Sequence, residues 1–127
     1  MHNNAQMHAS AVRAVLAAER DTTLARIGAM TSDFDDMVAA AEGSNDDDEH
    51  DPEGSTLAFE RAQVSALLLE ARAYLGDLDR ALARLDSGDY WDCARCGAPI
   101  APERLLARPA TETCIDCAAR RRAMPHA

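Results

Sequence analysis

Apolar side chains recur every three or four residues along two long stretches of this chain, with a polar gap between them. The first stretch covers residues 9–42, and its stripe runs Leu16, Thr23, Ile27, Met30, Phe34, Met37, Ala41. That spacing predicts an amphipathic helix with an imperfect heptad seam, irregular near Thr23. The second stripe is regular: Leu57, Arg61, Val64, Leu68, Ala71, Leu75, Leu78, Leu82, Leu85. Its steps alternate four and three, and only Arg61 is not apolar, which is the signature of a coiled-coil seam.

Residues between and around the stripes predict where the helices stop. Residues 1–8 read as a disordered tail. Residues 43–54 read as an exposed turn: Gly43, Ser44 and Asn45 stop the first helix, Asp46, Asp47, Asp48, Glu49, His50 and Asp51 form an acidic run, and Pro52-Glu53-Gly54 follows. Ser55 or Thr56 is expected to cap the second helix, with Glu53 near its positive end. Gly88 is a natural left-handed stop after it. Each helix would be ~50 Å long at 1.5 Å per residue. Similar lengths and a short connection predict an antiparallel hairpin with the acidic turn at its tip; a small bundle or a dimeric coiled coil is the alternative. The expected division is a tail at 1–8, a hairpin over 9–87 and a cysteine-bearing region over 88–127.

Composition supports helices and argues against a large core. Aromatic residues make up only 4% of the 127 residues. A small domain so poor in core material usually needs a staple such as a metal. The net charge is −9, but it is unevenly placed. Residues 1–50 carry ten acids against three Arg, residues 51–92 nine against four, and residues 93–127 three against six. Such a chain is repelled by nucleic-acid phosphates. No basic region followed by an apolar run opens the chain, and no stretch reaches the roughly 20 apolar residues of a membrane span. A cytoplasmic protein is therefore expected, and there cysteines favour metal over disulfides.

The cysteines are spaced Cys93-x2-Cys96-x17-Cys114-x2-Cys117. Each pair can present two thiolates to one ion, and two pairs complete a tetrahedron. One structural Zn2+ is the reading, with iron as the rival metal and two disulfides or redox pairs as the metal-free alternatives. Four thiolates leave no open position, so the ion would not activate water. Gly97 follows the second cysteine, where a knuckle needs positive φ, and Pro99, Pro102 and Pro109 are expected to keep the intervening loop from becoming helix. A short helix after Cys114 would carry Arg120, Arg121 and Arg122, either as a charge run suited to a helix C-terminus or as a contact for an acidic partner. His2, His8, His50 and His126 share no ligand spacing. The acidic run lacks the alternation of a calcium loop. No phosphate loop, nucleophile motif or acid–base pair appears, so no enzymatic activity is expected.

Gly88-x-Tyr90, Cys93-x2-Cys96-Gly97, Ile100, Arg104-Leu105, Ala107-Arg108-Pro109 and Cys114-x2-Cys117 together resemble the DksA/TraR family of bacterial C4 zinc-finger regulators. The likeness is strongest over the last third and extends loosely back to Asp51-Pro52. It implies a mostly α fold, a long antiparallel coiled-coil helical hairpin with a small C-terminal C4 zinc finger. It further implies a transcription regulator that binds RNA polymerase rather than promoter DNA, its hairpin in the secondary channel. Asp46, Asp47, Asp48, Glu49 and Asp51 would then approach the catalytic centre, while Arg104 and Arg108 would sit at the channel rim. The best-studied branch has a tip of the form Asp-Pro-x-Asp-x-Ala; here Gly54 and Thr56 stand at its second Asp and its Ala. That branch also binds guanosine tetraphosphate; Arg108 matches one of its basic residues, but Asp77 and Ala118 stand at two other positions of that site. Trp91 replaces a usual Gly and is expected to pack on the finger or the hairpin base. A monomer is expected, with no membrane association and no sequence-specific DNA binding. The alternatives are a zinc-capped coiled-coil interaction module without polymerase, and a DNA-binding finger of the GATA type, which shares the 17-residue gap but has a more basic finger and tail.

Overall fold

The computed structural model describes residues 2–43 and 52–123. Four helices follow one another: α1 (His2–Gly43), α2 (Pro52–Ser87), α3 (Pro102–Ala107) and α4 (Ile115–Ala123). Among the described residues β-structure is limited to one isolated antiparallel bridge, Asp92 to Pro99. The fold is a coiled-coil helical hairpin with a C-terminal four-cysteine cluster.

Both seams lie where the periodicity puts them. Along α1, Leu16 and Thr23 are buried, and Ile27, Met30, Phe34, Met37 and Ala41 are half-buried. Along α2, Leu68, Ala71, Leu78 and Leu85 are buried, and Leu57, Arg61, Val64, Leu75 and Leu82 are half-buried. The irregular step between Leu16 and Thr23 has a physical reason. The seam position between them falls on Arg20, whose Nε donates to Asp79 Oδ1 at 2.7 Å. A second ion pair joins Arg13 to Asp86. Seven residues along α1 thus correspond to seven residues back along α2, which fixes the antiparallel register at this end.

Several boundaries differ from the sequence expectation. The tail expected at 1–8 is helical from His2 on, since no Pro or Gly precedes Gly28 and Ala5, Gln6 and Met7 are good helix formers. The turn expected over 43–54 is shorter, because α2 already begins at Pro52. A proline's fixed φ suits the first helical position and its missing N–H is not needed there, so Ser55 and Thr56 lie inside the helix instead of capping it. The tip residues Asp46, Asp47, Asp48, Glu49 and Asp51 lie outside the described residues.

The chain packs as two compact units. One holds Asp21–Leu75, the paired stretches of α1 and α2 on either side of the tip, with Thr23, Leu68 and Ala71 as its buried residues. The other joins α1 up to Arg20 with Gly76 and everything after it. Its buried set mixes helix and finger: Leu16, Leu78, Ala81 and Leu85 with Tyr90, Cys93, Ile100, Leu105 and Cys117. Within this unit the finger thus shares a core with the helix ends beside it.

Candidate metal centre

The end of α2 aims the chain at the first cysteine pair. Gly88 adopts φ +86°, its N–H reaches Leu85 O at 3.3 Å, and the Asp89 N–H reaches back to Arg84 O at 2.9 Å. This 5→2 and 6→1 pair is a Schellman stop, which requires the left-handed residue that glycine supplies. Arg84 ties the same corner down from the side. Its Nη2 donates to the carbonyl oxygens of Asp89 at 2.8 Å and Asp92 at 2.5 Å.

Cys93 and Cys96 sit on a tight knuckle. The Cys93 N–H donates to Ala98 O at 2.7 Å, the Ile100 N–H to Trp91 O at 2.9 Å, and the Gly97 N–H closes back on Cys93 O at 2.9 Å. Gly97 has φ +77°, the conformation expected of it. The Arg95 N–H points at Cys93 Sγ, 3.4 Å away. Cys114 and Cys117 straddle the first turn of α4, where the Ala118 N–H donates to Cys114 O at 3.0 Å. The two pairs are joined directly by the Ala94 N–H, which donates to Glu112 O at 2.8 Å.

The link between the pairs contains a helix that the prolines were expected to exclude. Pro102 is the first residue of α3 rather than a breaker, for the same reason as Pro52. Pro109 follows the last turn, after the helix has ended at Ala107. Through α3, Leu105 enters the core and Arg104 turns toward the second pair. Arg104 Nε donates to Thr113 O at 2.8 Å and its Nη2 reaches Thr111 Oγ1 at 3.2 Å.

All four sulfurs lie within 4.8 Å of one another, with Cys96 and Cys114 at 3.7 Å. A tetrahedral ion with bonds of about 2.3 Å sets its sulfurs about 3.8 Å apart, so the set fits one zinc. No disulfide joins any two of the four, so all four sulfurs are available to one ion. Their chemistry also asks for a cation. Burial pushes the Cys93 thiol up, but the backbone N–H groups of Cys114, Cys96 and Arg95 together outweigh it and bring the thiol down to about 6. Cys117 is driven up to about 12 by its hydrogen bond to Cys114 and by burial. Four sulfurs this close do not all ionise without a metal between them; a zinc ion would take their charge, and its closed coordination makes its role structural.

Supports that the sequence pattern did not reveal surround this cluster. Tyr90 is 1% exposed, and its hydroxyl donates to Pro109 O at 2.8 Å. Burial raises its pKa above the ordinary value. Trp91 stands edge-on to Tyr90, ring centres 4.9 Å apart, and lines an apolar cleft of about 510 Å3 with Val12, Val15, Leu105 and Leu106. Arg80 Nε donates to Glu112 Oε1 at 2.8 Å while its Nη2 pairs with Asp77. Tyr90 carried a signal by falling within the family pattern, and Trp91, expected to pack on the finger or the hairpin base, packs against Tyr90 and the cleft. Arg80 and Arg84 occupy polar positions of a helix, where arginine is unremarked. Of the two arginines expected at a rim, Arg104 is thus engaged inside the finger, while Arg108 is exposed and its side chain has no partner among the described residues.

Residues 87–123 match the prokaryotic dksA/traR C4-type zinc finger. Over those residues the chain is similar to that finger. An uncharacterized protein of Aquifex aeolicus is 44% identical over 46 residues, 36% of this chain and 32% of that protein. The RNA polymerase-binding transcription factor DksA of Haemophilus influenzae is 39% identical over 46 residues, again 36% of this chain and 32% of its own length. The match thus spans about a third of these relatives. The likeness in three dimensions reaches further. The structure of transcription factor DksA2 from Pseudomonas aeruginosa superposes with a TM-score of 0.74 at 29% identity, covering 91% of this chain and 83% of that one. The dksA/traR likeness thus extends from the finger to the fold that carries it. No described helix is long and apolar enough to cross a membrane.

Proposed function

We propose that this protein is a transcription regulator that binds RNA polymerase through the secondary channel rather than binding promoter DNA. The observation that carries this reading is the pairing of a dksA/traR finger with a hairpin similar to that of DksA2 across most of both chains. Charge supports it. The net −9 sits mostly on the helical part, so the rod complements a basic channel and is repelled by phosphate backbones. The finger acts as the rigid base, and Asp46, Asp47, Asp48, Glu49 and Asp51 form the acidic tip that reaches toward the catalytic centre. There they alter the lifetime of open promoter complexes. Arg108, whose side chain has no partner among the described residues, is the residue we assign to the rim.

The tip assignment is tested by neutralising Asp46, Asp47, Asp48 and Asp51 to Asn. The variant should bind core polymerase with an affinity within a few-fold of the parent and lose its effect on open-complex lifetime. An effect that survives neutralisation would show that the tip does not act at the catalytic centre.

A further inference from the structure

Within the unit Asp21–Leu75 the two helices present unlike outer faces. On α2, Phe59, Ala62, Ala66, Leu69 and Ala73 repeat at steps of three and four on the side turned away from the hairpin seam. All five are exposed, Phe59 at 69% and Leu69 at 66%. The stripe contains no charged residue. The outer face of α1 is the reverse: Asp21, Asp35, Asp36 and Glu42 are exposed there, and none pairs with another described residue. A rod standing free in water needs no second apolar line on its solvent side, since an amphipathic helix ordinarily turns polar residues outward.

We propose that this stripe is a docking face, and that its occupant is a protein cleft with an apolar wall against α2 and a basic wall against α1. Two observations select that occupant over a second copy of the chain. The stripe covers the 15 residues from Phe59 to Ala73, so it is ~21 Å long on a helix ~10 Å wide, a footprint on the order of 200 Å2. A stable pair of chains needs about 800 Å2 from each partner, which a single helix-to-helix contact along this strip does not supply. The acids on α1 also point outward, where a second copy joined through α2 would leave them in solvent, whereas an enclosing cleft meets both faces at once. Charge complementarity therefore asks for basic groups opposite α1. The proposal rests on the polymerase reading above and specifies which side of the rod faces which wall of the channel.

The test uses the full zinc-loaded chain and core RNA polymerase from its own organism. Phe59→Ala with Leu69→Ala removes the two large side chains and keeps the helix, because alanine is the best helix former. This pair should weaken binding about tenfold, as loss of apolar anchors does, with its salt dependence unchanged. Asp35→Asn with Asp36→Asn should flatten the salt dependence instead. If the parent binds and the Phe59/Leu69 pair binds equally well, the face assignment is wrong and the polymerase reading stands. If the parent does not bind, both fall. If light scattering shows a dimer that the Phe59/Leu69 pair dissociates, the occupant is a second copy and the proposal is overturned.

Discussion

Arg104 and Arg108 stand one helical turn apart and have unlike surroundings. Arg104 holds the carbonyl of Thr113, the residue before Cys114, whereas Arg108 points into solvent. Arg104→Ala should therefore weaken zinc binding about tenfold, in the range seen when a support behind a metal ligand is lost. Arg108→Ala should leave zinc affinity unchanged. Competition with a chromophoric chelator measures both. Gly88→Ala isolates a backbone effect, since a methyl group there would meet nothing within 4 Å. The loss, about 1 kcal/mol in thermal unfolding, would come from the left-handed conformation alone. At this scale the sequence was legible where chemistry demands a residue type. Four cysteines and two positive-φ glycines could be placed by spacing. Arg84 and Arg80 could not, because their partners are carbonyl oxygens and a carboxylate brought near only by the folded finger.

The α2 seam was readable because a strict 4-3 repeat admits one face, and every position in it is at least half-buried. Leu78, with no exposed surface, sits in the unit that also contains the finger. Leu78→Ala should destabilise that unit by about 2–5 kcal/mol, measured by denaturant unfolding. Periodicity says nothing about proline's two roles, and there the expectation failed. Pro52 and Pro102 open helices because their surroundings place them at the first position, while Pro109 follows an ending. Ala81 was missed as core because it flanks the seam, and a small residue carries little periodic signal.

For the molecule as a whole, zinc and folding are coupled. The unit containing the finger holds few large buried side chains, among which Tyr90, Leu16 and Leu78 are the most completely enclosed. Chelation should loosen residues 88–123 to protease while the helical signal of α1 and α2 persists in circular dichroism. Acid should act in the same direction. In the metal-free finger Cys93 is ionised above about 6 and Cys117 is protonated below about 12. Zinc binding at pH 7 must then release protons, so affinity rises with pH and falls steeply once Cys93 also becomes protonated below about 6. Titration of bound zinc against pH checks the sign.

Binding of the zinc-loaded protein to purified core RNA polymerase, followed by addition of a protein already known to occupy the secondary channel, tests the functional reading most directly. Saturable binding that the competitor displaces is the expected result. Binding that the competitor leaves untouched would contradict the channel mode, and no binding at all would mean that this chain keeps the DksA-like fold for a different partner.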